Sequence, residues 1–471
     1  MTIVQIALLA VLAATLGQLR RGRELVLLGI SALVVFWLQP NEPFGSLLFW
    51  LPFATIGVAV LSWAVTSAPQ VRGLRQNWPA VAVLLAVIVI ADSNRYAGIP
   101  GVFTTKSPNP LALLAAIAGM LGFAAMLAMW ERARRFWLAA ILIGIIASLI
   151  FLKTNLLIQL AVNGLMSAHS PIGVSNTAGL AWLGYSYLSF RLMHTIRDRQ
   201  TGHLPAVTLS EYMNYAIFFP AFTAGPIDRV ERFTRDLCAP LHLENEDWIE
   251  AGTRLFVGLF KKFVIADTLA VISINDTLVR QVHSAGWLWV FLYAYAFRLY
   301  FDFSGYTDIA IGMGRLLGIR LPENFQAPYL KPNLTQFWNS WHMTLTQWFR
   351  AYFFNPLTRG MRGARHPLPA WLVILIAQLS TMVLIGLWHG VALGFLLWGL
   401  WHGIGLFIHN RWSVFMRPRT PAWLQTPWGK RAANVVGVLL TFNYVAIGWL
   451  FFGLARPASA WIALQKLVRL G

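Results

Sequence analysis

Charged residues are scarce in this chain, which carries 12% charged and 57% hydrophobic residues over a length of 471. Because soluble domains carry about 25% charged residues, this scarcity excludes an ordinary soluble globular protein. Acidic residues are scarcer than basic ones: the chain has 18 Asp and Glu and 37 Lys and Arg, which gives a net charge of +19. A basic excess is typical of nucleic-acid-binding proteins but also of the cytoplasmic loops of membrane proteins. The position of the cations decides between the two.

The signatures of soluble enzymes are missing as well. The single cysteine, Cys238, cannot form an intrachain disulfide, and no basic residue stands next to it to favour a catalytic thiolate. The chain contains no phosphate-binding loop, no H-E-x-x-H and no G-x-S-x-G motif, and "GMGRLLG" (312–318) lacks the glycine spacing of a dinucleotide-binding turn. These absences exclude a soluble-type nucleotide or zinc enzyme, and we expect no metal site and no bound cofactor.

The chain has instead a series of apolar runs of membrane-spanning or near-spanning length. They predict an all-α, polytopic transmembrane bundle of about 11–13 membrane helices. No repeat, low-complexity segment or linker separates a second domain, so we expect a single integral-membrane domain over 1–471, with N-terminal helices within 1–165 and a C-terminal helix at 433–453. The runs cover roughly 2–19, 25–38, 47–67, 79–91, 111–130, 136–152, 177–193, 252–280, 284–301, 371–388, 391–408 and 433–453.

Arginines cluster in every second loop. Cytoplasmic loops of membrane proteins are enriched in Lys and Arg, so the clusters predict a multi-pass protein of the cytoplasmic membrane with its N-terminus outside. The basic excess then reflects topology, and no nucleic-acid partner is expected. The loops after the first, third, fifth and seventh runs carry Arg20, Arg21, Arg23, Arg72, Arg75, Arg132, Arg134, Arg135, Arg191, Arg197 and Arg199, whereas the alternate loops carry Arg95, Lys106 and Lys153.

Polar residues interrupt the apolar pattern at three places in the C-terminal half. An ionisable group in hydrocarbon costs about 2.5–3.5 kcal/mol on insertion scales, so such groups usually face a protein interior or a water-filled cavity. The first place is "YFDFSGYTDIAIG" (300–312), which contains Ser304, Tyr306 and Asp308. Gly305 would allow a helix break there, with Ser304 or Thr307 capping the resumed helix. The pattern fits either a capped kink or the polar wall of a reaction cavity.

The second place is "WNSWHMTLTQWFRAYFF" (338–354), preceded by the helix-start pattern "KPNLTQ". Trp338, Trp341, Leu345 and Trp348 recur at a spacing near three and four residues, which predicts one helix with an aromatic face. Polar residues, His342 among them, occupy the other faces. Either the run lines a protein-enclosed passage, or it is an interfacial helix with an aromatic belt.

The third place is "LIGLWHG" (384–390), which holds Trp388 and His389. The stretch 368–408 has no Lys, Arg, Asp or Glu and is flanked by arginines on both sides, so we expect a helical hairpin with His389 near its turn. A membrane histidine can simply bond a backbone carbonyl, and for His402, in "WHGIG", we retain that interpretation.

These motifs together resemble the membrane-bound O-acyltransferase (MBOAT) family. The resemblance rests on "FDFSGYTDIAIGMGRLLGIRLPENFQAPYL", "FWNSWHMTLTQWFRAYFF" and "LWHG", and upstream on "SPIGVS" (170–175), "LGYSYLSFRLMHTIRDRQTG" (183–202), "YAIFFPAFTAGPIDR" (215–229) and "GLFKKFVIAD" (258–267). They place an MBOAT-like core at about 170–410. The bacterial branch that includes alginate O-acetylation and teichoic-acid D-alanyl transfer proteins is the most similar.

The resemblance implies helices around a central funnel or tunnel and an acyl group taken from a cytoplasmic thioester, acetyl-CoA or an acyl carrier protein. It identifies His389 with the family's near-invariant histidine and His342 with its second histidine. His389 is expected to act as the base on an acceptor hydroxyl, while His342, with Asn339 nearby, would polarise or position the thioester carbonyl. Further residues expected to line the passage are Trp338, Trp341, Ser304, Tyr306, Asp308 and Trp388.

The expected reaction is therefore O-acylation, with acetyl favoured, of an exported polysaccharide or cell-envelope polymer, directly or through an external SGNH-type transferase. D-alanyl transfer toward teichoic acid and solute transport are the alternatives, although a transporter needs midmembrane carboxylates and only Asp302 and Asp308 are available. One position departs from the bacterial pattern: "WFRAY" has Ala351 where relatives have Asp, which removes a potential partner of Arg350.

Overall fold

The computed structural model describes residues 1–19, 21–40, 47–98, 103, 107–167 and 181–468, with the side chains of 162 and 164–167 left aside. Twenty-two α-helices and no strands occur in these residues. The predicted motif "SPIGVS", together with Arg20 and Lys106, lies outside them. The helices are α1 (Ile3–Leu16), α2 (Arg23–Trp37), α3 (Leu47–Thr66), α4 (Leu74–Ala97), α5 (Pro110–Met129), α6 (Arg134–Lys153), α7 (Asn155–Ser167), α8 (Tyr185–Thr201), α9 (Leu209–Ile217), α10 (Val230–Cys238), α11 (Asn245–Leu259), α12 (Asp267–Val271), α13 (Asp276–Gln281), α14 (Ala285–Leu316), α15 (Leu334–Trp338), α16 (Met343–Phe349), α17 (Asn355–Arg362), α18 (Ala370–His389), α19 (Leu393–Met416), α20 (Ala422–Gln425), α21 (Pro427–Gly453) and α22 (Pro457–Val468).

Six helical segments in the described part of the chain are long and apolar enough to cross a membrane. This confirms an all-α, polytopic architecture. Where the structure describes them, the other predicted apolar runs are largely helical too, but their helices are shorter or less apolar. Helix α1 has 14 residues, and the run 252–280 becomes α11, a π-helical turn and the short α12. The six segments are Leu47–Thr66, Leu74–Ala97, Pro110–Met129, Glu131–Lys153, Ala370–His389 and Pro427–Gly453.

The described residues group into two compact units. The first comprises Met1–Phe256 and Asp308–Pro322, and the second comprises Val257–Thr307 and Glu323–Gly471. Four of the six spanning segments belong to the first unit and two to the second.

The first unit is built around contacts among α2, α3 and α9. Buried polar groups there are paired: the Ser62 hydroxyl lies 2.7 Å from the Tyr212 hydroxyl, and the Trp63 indole N–H donates to the Val207 carbonyl at 3.1 Å. Because unpaired buried polar groups are costly, these bonds fix how α3 meets α9 and the chain before it.

Two arginines counted as loop cations in the sequence are in fact buried in helices of this unit. Arg191 lies inside α8, 2% exposed, and its guanidinium donates to the carbonyls of Ala216 and Ala221. Arg23 begins α2 and donates to backbone carbonyls, Leu317 among them. A buried guanidinium needs such acceptors, so these two arginines stabilise the fold. The other arginines of the loops are unaffected, so most of the difference in charge between alternate loops remains.

The second unit contains the expected hairpin. Helices α18 and α19 pack against each other along their length, and α21 packs against α19. Gly399 allows the approach, because a Cβ there would lie 2.6 Å from the Met382 carbonyl oxygen. The turn between the helices follows His389, as the hairpin prediction requires.

The predicted break at Gly305 is wrong: α14 runs without interruption from Ala285 to Leu316. Gly305 instead allows close packing, since a Cβ there would lie 2.7 Å from the carbonyl oxygen of Gly258. Neither Ser304 nor Thr307 caps a helix, because their backbone groups belong to the continuous helix.

The prediction of one helix over 338–354 is also wrong. Helix α15 starts at the predicted signal, where the Asn333 side chain accepts a hydrogen bond from the Gln336 backbone N–H, but it ends at Trp338. The chain then turns, and His342 adopts the left-handed conformation (φ 43°) before α16 begins. Helical periodicity detected the aromatic face of this segment but not the turn that interrupts it.

Candidate functional site

His389 is the last residue of α18 and lies at the turn of the hairpin. Gly390 follows with an extended backbone, which ends the helix there. The imidazole is surrounded by aromatic rings, with ring-centroid distances of 4.6 Å to Trp388, 4.8 Å to Phe452 and 5.9 Å to Trp398. The hairpin thus holds one polar ring in an aromatic setting that limits its hydration.

His342 is held by Asn324. The Asn324 side-chain oxygen accepts hydrogen bonds from the Thr344 backbone N–H (3.2 Å) and hydroxyl (2.9 Å), and it lies 3.1 Å from His342 Nδ1. The Asn324 carbonyl accepts the Met343 N–H at 2.9 Å. Left-handed backbone is uncommon for residues other than glycine, and these bonds stabilise it at His342.

The hydrogen bonds also determine which nitrogen of His342 carries the proton. A backbone N–H can only donate, so the Asn324 atom that receives it is the amide oxygen, and His342 Nδ1 must donate to it. His342 lies among short helices that do not span a membrane, and burial together with the charge of His389 lowers the pKa of His342 to about 3. The ring is therefore neutral at neutral pH, with its lone pair on Nε2.

A small cavity in the second unit is lined by both histidines. Its volume is about 50 Å³, and aromatic side chains form much of its wall. On the measure in which about 10–15 Å³ holds one water molecule, the cavity has room for several water-sized groups. We call it the inner cavity; it is lined by Leu299, Phe303, Trp338, Trp341, His342, Leu345, Ile385, His389, Trp398, Trp449 and Phe452.

A second, larger cavity adjoins the first and shares Trp338 and Ile385 with it. Its volume is about 190 Å³, and Arg350 is the one charged residue among the described residues that line it. We call it the outer cavity. The Arg350 guanidinium donates to the Asn339 side-chain oxygen at 2.5 Å. The partner that this bond gives the arginine is thus a neutral amide.

Not all of the residues predicted to line the passage meet in one place. His342, His389, Trp338 and Trp341 line the inner cavity, and Trp388 packs beside it with its ring 6.4 Å from that of His342 and 4.6 Å from that of His389. Asn339 lines the outer cavity instead.

The polar residues of α14 are placed differently from the prediction. Ser304 is buried and Tyr306 half-buried in the second unit, and neither is among the residues that line the inner cavity. Asp308 belongs to the first unit, where it forms a 2.6 Å ion pair with Arg254. Helix α14 reaches the inner cavity through apolar Leu299 and Phe303 instead.

Sequence reasoning missed Asn324 and Trp398. Asn324 lies in "LPENF", a stretch that the resemblance quoted without assigning it a role, and it is fully buried. A buried asparagine beside a turn signals a side chain that bonds backbone groups, but its partner 18 residues away could not be read from spacing. Trp398 looks like any aromatic residue of an apolar helix.

Cys238 is unsuited to nucleophilic catalysis. Its thiol donates to a Glu211 carboxylate oxygen at 3.2 Å. Burial, together with this bond, raises the pKa of Cys238 to about 12. The thiolate is the reactive form, so this raised pKa does not favour nucleophilic catalysis by Cys238.

The two histidines in one cavity match what the motifs implied, and comparison with known proteins identifies the family. A model of "MBOAT, membrane-bound O-acyltransferase family" matches residues 177–451, more than half of the chain. The chain belongs to the membrane-bound O-acyltransferase family. The match begins near the start of the expected core and extends past it to include α21. It confirms the resemblance and the expected class of enzyme, an acyltransferase.

Relatives with different acceptors are similar to this chain. "Teichoic acid D-alanyltransferase" of Streptococcus thermophilus is 31% identical over 58% of this chain and 68% of its own length. "Probable alginate O-acetylase AlgI" of Pseudomonas syringae is 33% identical over 66% of this chain and 57% of that protein. "Peptidoglycan O-acetyltransferase" of Helicobacter pylori is 30% identical over 72% of this chain and 65% of that protein. The chain thus spans little more than half of the alginate relative.

Proposed function

We propose that this protein transfers a small acyl group, acetyl in the first instance, from a cytoplasmic thioester to a hydroxyl of an exported polysaccharide or cell-envelope polymer, or to a partner that completes the transfer. The observation that carries the proposal is the inner cavity, where His342 and His389 share a space of about 50 Å³. A cavity of that size accommodates an acetyl group. The acceptor classes come from the relatives.

His389 supplies the base in this proposal. The acceptor hydroxyl attacks the thioester carbonyl, a C–O bond forms and the C–S bond breaks. The hydroxyl proton passes to the imidazole of His389 and then to the leaving sulfur, which departs as a thiol. General-base catalysis of this kind contributes about 10² to 10⁴ in rate.

His342 has a different role from the polarising one considered from the sequence. A neutral ring whose Nδ1–H is donated to Asn324 has no proton on Nε2, so it cannot donate to a thioester carbonyl. It can accept a hydrogen bond, and we assign it the positioning of the acceptor hydroxyl. The candidate donor to the carbonyl is the Trp338 indole N–H, which is buried without a hydrogen-bond partner in the described structure and belongs to a residue that lines both cavities.

The outer cavity is proposed to receive the donor. Coenzyme A and acyl carrier proteins both present their thioester on a phosphopantetheine arm, and an arginine binds phosphate well because its guanidinium donates two parallel hydrogen bonds. Arg350 lines this cavity and has a neutral partner, Asn339, rather than an acid. The Ala351 departure thus favours anion binding at this position.

Solute transport is the weaker alternative. Ion-coupled transporters use midmembrane carboxylates, and the two available acids are occupied. Asp302 forms an ion pair with Lys262, and Asp308 forms one with Arg254. D-alanyl transfer is the stronger alternative, because a D-alanyl group is also small and one of the relatives is named a teichoic acid D-alanyltransferase.

The test uses the full-length protein in lipid nanodiscs with acetyl-CoA and a soluble polysaccharide fragment. We expect release of free thiol and acetyl ester formation on the acceptor, detected by mass spectrometry, and loss of both with His389→Ala. A D-alanyl-loaded carrier protein serves as the competing donor. Thiol release equal in wild type and His389→Ala, with either donor, would contradict acyl transfer at this site.

The proposed setting is the cytoplasmic membrane of a bacterium, with the N-terminus outside. The arginine asymmetry of the loops supports this orientation, since most of those arginines remain after the two buried ones are set aside. It places the donor in the cytoplasm and allows the acceptor polymer to approach from the other side.

A further inference from the structure

A cluster of metal-ligating side chains lies in the first unit. His194 and Asp198 occupy successive turns of α8, and Glu231 lies in the first turn of α10. Their ligand atoms, one imidazole nitrogen and two carboxylate oxygens, all lie within 4.8 Å of one another. His194 and Asp198 are buried and Glu231 is half-buried. The spacing of four residues puts the first two on one face of α8.

Tyr215 contacts the other ring nitrogen of His194, Nδ1. The Tyr215 hydroxyl donates to the Asp228 backbone carbonyl at 3.0 Å, and a carbonyl can only accept. The same hydroxyl oxygen lies 3.0 Å from His194 Nδ1 and accepts the Nδ1–H in the tautomer that carries its proton there. A neutral imidazole with its proton on Nδ1 has a lone pair on Nε2.

That lone pair faces a carboxylate. His194 Nε2 lies 2.8 Å from Asp198 Oδ2. At this distance the two atoms are bridged either by a proton on Nε2 or by a metal ion. The choice between the two depends on what else surrounds the pair.

Glu231 favours the metal ion. Its carboxylate has no hydrogen-bond or ion-pair partner in the described part of the chain, although its oxygen approaches a buried histidine and aspartate. The cluster combines two carboxylates with one imidazole. Two negative charges are neutralised by a divalent cation but not by a single proton. The nearby Arg232 does not supply the charge, because it forms an ion pair with Asp228.

The geometry suits a first-row ion. Bonds of about 2.0–2.2 Å to nitrogen and oxygen place neighbouring ligand atoms roughly 3 Å apart, and His194 and Asp198 already meet that separation. Glu231 is half-buried and can rotate to close the remaining gap. The Nδ1–H bond to Tyr215 is the outer-shell contact that metal-bound histidines usually make.

We propose that His194, Asp198 and Glu231 bind a divalent first-row transition-metal ion such as Zn²⁺, with Tyr215 orienting the histidine. Imidazole and carboxylate ligands both suit zinc. The ion joins α8 to α10, and so fastens the segment "FRLMHTIRDRQTG" to the segment that follows "TAGPIDR". Its role is to stabilise the first unit, and the proposal does not depend on the reaction proposed above.

The test titrates Zn²⁺ into the full-length protein in detergent after chelator treatment. We expect one ion per chain by calorimetry and by metal analysis after desalting, with a rise in Tm. Glu231→Gln and Asp198→Asn should each weaken the Kd at least 10-fold, and Tyr215→Phe about 10- to 100-fold. Glu246→Gln, an exposed carboxylate in the first turn of α11, is the matched control and should bind Zn²⁺ like the wild type.

Two results would overturn the proposal. One is a wild-type protein that binds no Zn²⁺, or whose Kd is unchanged in Glu231→Gln. The other is a Tm that falls equally in Asp198→Asn with and without Zn²⁺, because the contact between His194 and Asp198 would then be a proton-mediated ion pair. Circular dichroism of Glu231→Gln, at a half-buried position, verifies that the variant is folded.

Discussion

Asn324 accepts the Nδ1–H of His342 at 3.1 Å while it also binds both the N–H and the hydroxyl of Thr344. One buried amide oxygen therefore holds the histidine in a left-handed backbone conformation and leaves Nε2 as the acceptor nitrogen. Strained backbone of this kind is often found at functional sites. The relationship turns a general expectation about two histidines into separate roles for each.

The first prediction concerns His389. His389→Ala should lower kcat for acyl transfer by about 10² to 10⁴, because the base that removes the acceptor proton is lost. Abundance in the membrane and Tm should stay near the wild-type values, which gel filtration and thermal unfolding will check. His402→Ala does not test this role, since that buried ring lies outside the inner cavity lining. Wild-type-like acylation by His389→Ala would end the assignment of the base.

The second prediction separates the two roles of His342, hydrogen-bond acceptor and left-handed backbone. Asparagine tolerates the left-handed conformation and offers an oxygen acceptor, so His342→Asn should keep measurable activity, about 10-fold below the wild type. His342→Ala lacks the acceptor and should lose about 100-fold or more, as for removal of a positioned hydrogen bond. The measurement is kcat with acetyl-CoA. Equal losses in both variants would mean that the ring, and not an acceptor atom, is required.

The third prediction concerns donor binding at Arg350. Arg350→Gln should raise KM for acetyl-CoA several-fold with a smaller change in kcat, because it removes a phosphate contact that is equally strong before and during the reaction. Ala351→Asp should also raise KM for acetyl-CoA, because it places an acid beside the guanidinium.

The control for this prediction is Arg359→Gln, an exposed arginine of α17 that does not line the outer cavity. Its KM should match that of the wild type. An unchanged KM in Arg350→Gln would place the donor phosphates elsewhere.

The fourth prediction concerns the hairpin that carries His389. In Gly399→Ala the new Cβ would lie 2.6 Å from the Met382 carbonyl oxygen and 2.7 Å from the Val383 Cα. These are backbone atoms that cannot rotate away, so the substitution should destabilise the protein by about 1–3 kcal/mol. Thermal unfolding in detergent measures the effect. Gly360→Ala, where no atom lies within 4 Å of the new Cβ, should leave Tm unchanged; equal Tm values for the two variants would contradict the close packing.

The fifth prediction concerns orientation in the membrane. A reporter fused after Arg135 or Gly202 should be cytoplasmic, and one inserted near Ala97 should be external, because the arginine-rich loops face the cytoplasm. Alkaline phosphatase and fluorescent-protein fusions report the two sides. Opposite signals at these sites would invert the direction proposed for donor and acceptor.

Much of this protein could be predicted without its structure. Apolar runs and scarce charge determined an all-α membrane bundle, because backbone polar groups in lipid must be satisfied within helices. The hairpin with His389 at its turn followed from an uncharged stretch of two helix lengths between arginines. The motif order determined the family. These features depend on local composition and spacing, which the sequence displays directly.

Tertiary structure alone decided the remainder. The turn at His342, its bond to Asn324 and the pairing of Arg350 with Asn339 depend on contacts between residues 11 to 18 positions apart, which periodicity does not reveal. The placement of Asp308 beside Arg254 likewise required the fold. Helical periodicity shows which residues share a face. Only packing determines which face meets which partner, because burial energies depend on neighbours that are distant in sequence.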